Sequence, residues 1–371
     1  MSIYDVALSM IHELGVARIN HLIEFFGTAE NVFSTSIEQL TEQLKFPHEA
    51  ATYIYKQLNR KDLLAQAQAE LDFLNRNNAR AVAIGDDDYP AMLRECCDAP
   101  NVLFVKGDLD LNSEHFLSVV GTRRYTKYGE ELCDNLMREL AELVPDAVIV
   151  SGLAYGIDIT AEIAAHKYGL RTVSVVANNL REVSPTSHLN HLRDFIGNGG
   201  AVLTEMSSLE KTIQSSFLRR NRIIAGLSSG TLVIESHLRG GALSTARCAI
   251  EYNREVMAIP GRATDVASEG CNELIRKGGA QLVTNAEQIV ETLGWQHNKK
   301  IRSQHEVKQF SIDLSPDERL IYDAIGATTA TPVDLIASNT GMSIQIVSVI
   351  LVSLEIKNLV KPIAGNQYIR C

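Results

Sequence analysis

The sequence predicts an α/β fold: a doubly wound, extended Rossmann-like, mostly parallel sheet, with a small helical domain before it and a winged helix after it. Three observations carry this. Between about residues 80 and 296, short β-branched runs alternate with amphipathic helical stretches. The runs are apolar on both parities, as in strands covered on both faces. The chain has 371 residues, 45% of them hydrophobic, enough for more than one packed core.

Residues 1–78 have helical periodicity. Leu8, Ile11, Leu14 and then Ile19, Leu22, Ile23 and Phe26 recur at spacings of three and four, which place them on single helix faces. The stretch Leu14-Gly15-Val16-Ala17-Arg18-Ile19, followed by one ending Phe25-Phe26-Gly27, resembles a helix-hairpin-helix or SAM-like domain. With 10 acidic against 6 basic residues, the segment lacks the electrostatic footprint of a nucleic-acid binder. A plain helical domain whose glycines cap helices is the reading that stands beside it.

The α/β domain is expected over residues 79–296. Phe116-Leu117-Ser118-Val119-Val120 precedes a helix from about 128 to 143, and Ala147-Val148-Ile149-Val150 precedes one from about 158 to 168. Further strands are expected at 172–177, 201–204, 231–234 and 256–259. A polar, locally basic linker follows at 297–312, opening His297-Asn298-Lys299-Lys300-Ile301-Arg302. In 313–371, Ser315-Pro316, Thr331-Pro332 and Ser343 each open a helix, and a hairpin ends at Tyr368-Ile369-Arg370. Three helices and a wing predict a winged helix. Its six acidic and four basic residues support a protein-contact or regulatory role at least as well as duplex reading.

Composition narrows the function. The net charge is −10, from 35 basic and 45 acidic residues, which argues against a broad basic face coating duplex DNA but leaves room for a narrow basic groove. The cysteines at 96, 97, 133, 248, 271 and 371 form no Cys-x-x-Cys pair, and no His cluster has metal-ligand spacing. No metal site is expected, and a reducing compartment fits best. The opening Met1-Ser2-Ile3-Tyr4-Asp5-Val6 has no basic region, and no apolar run approaches the roughly 18 residues of a bilayer span. A cytoplasmic protein with no membrane partner is the expectation.

Two strand-to-helix turns are glycine-rich: Gly121-Thr122-Arg123-Arg124-Tyr125-Thr126-Lys127-Tyr128-Gly129 and Ser151-Gly152-Leu153-Ala154-Tyr155-Gly156-Ile157-Asp158. Both sit where helix N-termini bind anions. Neither has Gly-x-Gly-x-x-Gly spacing, and the second strand ends on Ser151-Gly152 where a ribose-binding acid would stand, which argues against a dinucleotide. No Walker loop occurs. The first turn instead mixes two arginines, a lysine and two tyrosines, phosphate donors beside stacking faces, which suits single-stranded nucleic acid. A third element, Phe217-Leu218-Arg219-Arg220-Asn221-Arg222-Ile223, places three arginines in four positions at a helix start. Phe217 and Arg220 share a helix side and Arg222 lies on another, so at least one arginine is expected to pair with a carboxylate such as Glu205 or Glu235.

In this order the motifs resemble the DNA-processing protein DprA (Smf) family. They comprise the two glycine turns, Arg220-Asn221-Arg222-Ile223-Ile224-Ala225-Gly226-Leu227-Ser228, Gly241-Ala242-Leu243-Ser244-Thr245-Ala246, Ala258-Ile259-Pro260-Gly261 and Gly270-Cys271-Asn272-Glu273-Leu274-Ile275. The flanking helical and winged-helix domains agree with the family's usual layout. The resemblance implies a cytoplasmic, homodimeric single-stranded-DNA-binding protein that protects incoming strands and loads the RecA recombinase during natural transformation, with no catalytic residue and no cofactor. It implies that Arg123 contacts phosphate and Phe217 stacks on or flanks a base, while Arg220, Asn221 and Arg222 line or buttress the pocket. Gly121, Thr122, Ser151, Gly152 and Gly156 would supply close-approaching amides. The chain departs from the pattern after the third strand, where Thr186 stands at the family's lysine position, so one expected phosphate contact is either missing or supplied by Arg181, His188 or Arg193. The rival reading is a nucleotide-processing enzyme of the lysine-decarboxylase-like phosphoribohydrolase type, on the partial echo Ser229-Gly230-Thr231-Leu232-Val233-Ile234-Glu235, which lacks the double glycine of that class.

Overall fold

The computed structural model describes residues 1–11, 14–296, 314–326, 330–357, 359–363 and 365–370. Two compact units emerge, Met1–Asn298 and Lys299–Cys371. The expected linker at 297–312 lies outside the described residues. Among the described residues, no single helix is long and apolar enough to cross a membrane, and no group of three or more His, Cys, Asp or Glu side chains is placed to hold a metal ion.

Among the described residues the first unit opens with six helices, α1 (Ile3–Ser9), α2 (Val16–Phe26), α3 (Ala29–Phe33), α4 (Ile37–Glu42), α5 (His48–Leu58) and α6 (Leu63–Arg76). Local chemistry sets their ends. Ser2 and Asp5 form a reciprocal capping box on α1, Ser36 and Gln39 one on α4, and Gly15 and Gly27 cap α2. The periodic residues Leu8, Ile11, Leu14, Ile19 and Leu22 bury together with Leu40, Ile54 and Leu63 in a core that continues onto Ala83, Val102 and Phe104. Those last three belong to the sheet edge, so the helical segment and the sheet share one core.

The sheet follows as β1 (Ala79–Ala83), α7 (Ala91–Arg94), β2 (Val102–Lys106), β3 (Phe116–Val120), α8 (Lys127–Leu143), β4 (Val148–Ser151), α9 (Ile157–Lys167), β5 (Arg171–Val175), α10 (Leu189–Gly197), β6 (Ala201–Thr204), α11 (Gln214–Leu227), β7 (Gly230–Val233), α12 (Ala242–Glu251), β8 (Glu255–Ala258), α13 (Glu269–Arg276), β9 (Gln281–Leu282) and α14 (Ala286–Thr292). Nine strands pair in the order β1-β2-β6-β5-β4-β3-β7-β8-β9. β1 with β2 and β2 with β6 are antiparallel, and every other pairing is parallel.

Every residue of β3, β4, β6 and β7 is buried, as the apolar runs on both parities require. Alternate residues serve opposite layers. Leu117, Val119 and Ile149 pack with Leu136, Met137 and Leu140 of α8 and Ala161 of α9, while Phe116, Val120, Val148 and Val150 pack with Ile223 and Leu227 of α11 and Ala246 of α12. β5 ends at Val175, two residues short of the span the sequence predicts. The chain turns there at Asn178 and Asn179, whose side-chain amides donate to the carbonyls of Glu182 and Glu210.

The second unit comprises α15 (Pro316–Ala324), β10 (Thr331–Pro332), α16 (Val333–Thr340), α17 (Ile344–Ile356), β11 (Val360–Ile363) and β12 (Gln367–Arg370), with sheet order β10-β12-β11. Ser315 and Glu318 box the start of α15 with Pro316 in its first turn. Ile321, Ile336, Val347, Leu351 and Leu354 form the core of this winged helix. Its third helix, α17, contains no Lys or Arg and exposes Ile346, Val349 and Val352.

Candidate nucleic-acid interface

Strand order reverses between β3 and β7, the place in a doubly wound sheet where a crevice opens beyond the carboxyl ends of the strands. Both glycine-rich turns leave carboxyl ends there, one after β3 and one after β4, and α11 runs alongside into β7. They enclose a cavity of about 340 Å³ lined by Gly121, Thr122, Arg123, Tyr155, Asp158, Phe217, Leu218, Arg220 and Asn221, with Gly240, Gly241 and Thr245 at the start of α12.

The two turns interlock. Ile157 N donates to Thr122 O at 3.1 Å, and Thr122 N donates to Glu235 O at 2.7 Å. Gly156 has φ +94°, and a Cβ there would lie 2.1 Å from Thr122 O and 2.5 Å from the Arg123 Cα, so only glycine permits the approach. Thr126 caps α8 by accepting from Gly129 N, and it donates both N–H and O–H to the buried Glu235 carboxylate, at 2.9 and 2.5 Å. Glu235, on which the rival enzyme reading depends, is thus engaged in fixing the first turn.

The cavity floor is a buried charge cluster. Arg220, 5% exposed, donates from Nη1 to the carbonyls of Gly152 and Val175, tying α11 to the ends of β4 and β5. Its Nε has no hydrogen-bond partner among the described residues. Burial pushes the Asp158 carboxyl up to about 6, against Arg220 and the backbone amides of Gly121 and Gly152, which favour its ionised form. Behind it, burial pushes Glu162 up to about 8 although Ser174 donates to it at 2.7 Å. Burial also pushes Arg220 below its ordinary value, with Asp158 and Glu162 acting the other way. A Cβ on Gly152 would fall 2.2 Å from Arg220 Nη1 and 2.5 Å from Asp158 Oδ2, so this glycine makes room for the cluster.

The rim is exposed and mixes charge with aromatic surface. The Arg123 guanidinium carbon lies over the Phe217 ring, 5.8 Å from its centroid, within cation–π range. Leu218 and Tyr155 extend this surface.

Of the residues singled out in the sequence, Gly121, Thr122, Arg123, Phe217, Arg220 and Asn221 meet in the cavity wall. Ser151, Gly152, Gly156 and Arg222 lie behind it. Ser151 is fully buried and donates to Val119 O. Arg222 is buried on another side of α11, where it donates to Glu205 and to the Asp98 carbonyl, the carboxylate pairing the sequence anticipates. The expectation that these turns offer free amides needs revision. Thr122 N is spent on Glu235 O, and the amides of Gly121 and Gly152 serve Asp158, which leaves side chains as the principal donors. Two of the three substitutes for the missing lysine are also committed elsewhere. Arg181 stacks over Phe73 at 4.8 Å, and His188 is buried with Nδ1 2.9 Å from Leu153 O. Sequence reasoning missed Tyr155 and Leu218, whose only signal was an aromatic and an aliphatic residue inside otherwise polar or glycine-rich motifs.

Comparison with known proteins agrees with the fold. Residues 80–294 match the family model described as DNA recombination-mediator protein A, and residues 308–366 match the DprA winged helix domain. The chain is 34% identical over 311 residues to Protein Smf of Escherichia coli K12, covering 82% of this chain and 80% of that protein. The X-ray structure of DNA processing protein A from Streptococcus pneumoniae superposes with a TM-score of 0.66 at 33% identity, covering 78% of this chain and 98% of that one. DNA processing protein A from Helicobacter pylori, solved for its single-stranded DNA binding mode, superposes with a TM-score of 0.51 at 32% identity over 58% of this chain and 95% of that one. The family model spans more than half of the chain and the Smf relative most of both, so this chain belongs to the DNA recombination-mediator protein A (DprA/Smf) family.

Proposed function

We propose that this protein is a cytoplasmic, homodimeric recombination mediator that binds single-stranded DNA in the cavity beside β3 and β4 and passes the strand to a RecA recombinase during natural transformation, without catalysing a reaction itself. The observation that carries the reading is the exposed Arg123 over Phe217 at the mouth of a cavity whose floor holds Arg220 with an unpaired Nε. Arg123 supplies a phosphate contact and Phe217 a face on which any base can stack. The roughly 340 Å³ cavity is too confined for a duplex about 20 Å across, whose major groove alone is about 12 Å wide. Gly121, Thr122, Arg123, Phe217, Arg220 and Asn221 meet the strand, while Ser151, Gly152, Gly156 and Arg222 hold the shape that presents them. The single-stranded DNA binding of the Helicobacter pylori relative supports the assignment.

Fluorescence anisotropy with labelled oligonucleotides tests the binding step. Tight binding of oligothymidylate with weak binding of duplex is expected, and equal affinity for both contradicts it. Sedimentation of the free protein tests the dimer, and RecA filament assembly on single-stranded DNA tests the loading step.

A further inference from the structure

Tyr155 is a large aromatic residue that is 55% exposed, and the fold does not leave it free to wander. It lies in the second glycine turn between Leu153, held at φ +53°, and Gly156 at φ +94°. Its ring makes a T-shaped contact with His188, centroids 4.8 Å apart, and its hydroxyl lies 3.1 Å from Ser187 Oγ. His188 is itself buried and anchored to Leu153 O. A side chain pinned at both ring and hydroxyl has already lost most of its rotamer entropy, so a ligand stacking on it pays little to order it. Tyr155 also lines the same cavity as Phe217 and Arg123.

We propose that Tyr155 is a second base-stacking platform of the single-strand site, working alongside Phe217. The inference rests on the proposed binding of single-stranded DNA and says how one wall of that site works. The segment packed against Tyr155 offers no cation: residues 182–192 contain no Lys or Arg, so a strand meeting it gains stacking rather than an ion pair. Stacking on an aromatic ring tolerates any base and neutralises no phosphate, whereas a phosphate contact releases counterions and steepens the salt dependence. The two kinds of contact are therefore separable by one titration.

The test measures oligothymidylate affinity between 50 and 200 mM salt for the wild type, Tyr155→Ala, Tyr155→Phe and Arg123→Ala. Tyr155→Ala is expected to weaken binding by roughly 10- to 100-fold at every salt concentration with an unchanged slope, and Tyr155→Phe to stay within about threefold because it keeps the ring. Arg123→Ala is expected to weaken binding with a shallower slope. As a direct readout, the fluorescence of a Tyr155→Trp variant should be quenched by the bound strand, read against the wild type, whose single tryptophan, Trp295, is buried. Unchanged affinity in Tyr155→Ala together with loss in Arg123→Ala overturns this inference and leaves the site assignment standing. A shallower slope in Tyr155→Ala also overturns it. Failure of the wild type to bind the strand at all removes the site assignment and the inference together.

Discussion

The guanidinium of Arg123 stands over the ring of Phe217, 5.8 Å from its centroid, so one exposed contact joins the β3 turn to α11. The two residues offer a strand different things. Arg123→Ala should lower single-strand affinity by about 1–3 kcal/mol through loss of a charge-assisted bond and reduce the magnitude of the salt slope by about 0.7. Phe217→Ala should weaken binding by a similar amount with the slope intact. Anisotropy titrations at three salt concentrations distinguish the two.

Arg222 predicts the opposite behaviour from Arg123. Its ion pair with Glu205 is buried, both side chains being at most 10% exposed. Removing Arg222 leaves the Glu205 carboxylate to the more exposed Arg219, at 3.0 Å, and breaking the buried pair costs at most about 3–5 kcal/mol. Arg222→Ala should therefore lower the urea midpoint sharply, whereas exposed Arg123→Ala should change stability by no more than about 0.5 kcal/mol. Equal stabilities would show that Arg222 is not the buttress of α11.

Gly156 is fixed by the approach of Thr122 O, 2.1 Å from where a Cβ would sit, and by φ +94°. Gly156→Ala should force the two turns apart and lower both stability and single-strand affinity. Gly169→Ala, also at positive φ but with nothing among the described residues within 4 Å of its Cβ position, should cost about 1 kcal/mol of stability through backbone strain and leave binding intact. Denaturation and binding measured on the same preparations check the contrast.

Glu162 gives the protein a pH signature. Burial raises its carboxyl from 4.5 to about 8, so across that window the folded state holds a proton the unfolded chain has released. Stability therefore falls as pH rises from about 4.5 to about 8 and levels off above it, with a steepest decline of about 1.4 kcal/mol per pH unit. Glu162→Gln should remove this part of the decline. Urea midpoints of the variant and wild type are expected to agree near pH 4 and separate by pH 9, with the variant more stable, while parallel curves would contradict the assignment.

Much of the fold and part of the site are legible in the sequence, and the reasons are physical. Doubly buried strands such as Val148–Ser151 and Ala201–Thr204 announce themselves because both faces are apolar up to a single closing hydroxyl residue, and Ser315-Pro316 marks a helix start because its capping chemistry is local. The edge strand β1 and its neighbour β2 escape such a reading, since Ala79–Ala83 is partly exposed and is followed by the four-residue α7 rather than a long helix that would complete a strand-helix unit. Arg123 and Phe217 can be picked from their motifs. The division of labour between Arg220 and Arg222 cannot, because it depends on which carbonyls and carboxylates distant strands bring to α11. Tyr155 is hidden for the same reason: its partner His188 is 33 residues away, and only the folded chain sets the two rings 4.8 Å apart.

The net charge of −10 acquires a definite meaning once the cavity is located. An acidic molecule with one short cationic and aromatic cleft should hold a few nucleotides of single strand and discourage non-specific duplex binding. The most direct test is the affinity of the intact protein for oligothymidylate and for duplex of equal length, titrated from 50 to 200 mM salt. The account predicts a marked preference for the single strand throughout, with a shallow slope reflecting a few phosphate contacts. Equal affinities, or a steep slope of the kind made by about 6–10 phosphate contacts, would contradict it.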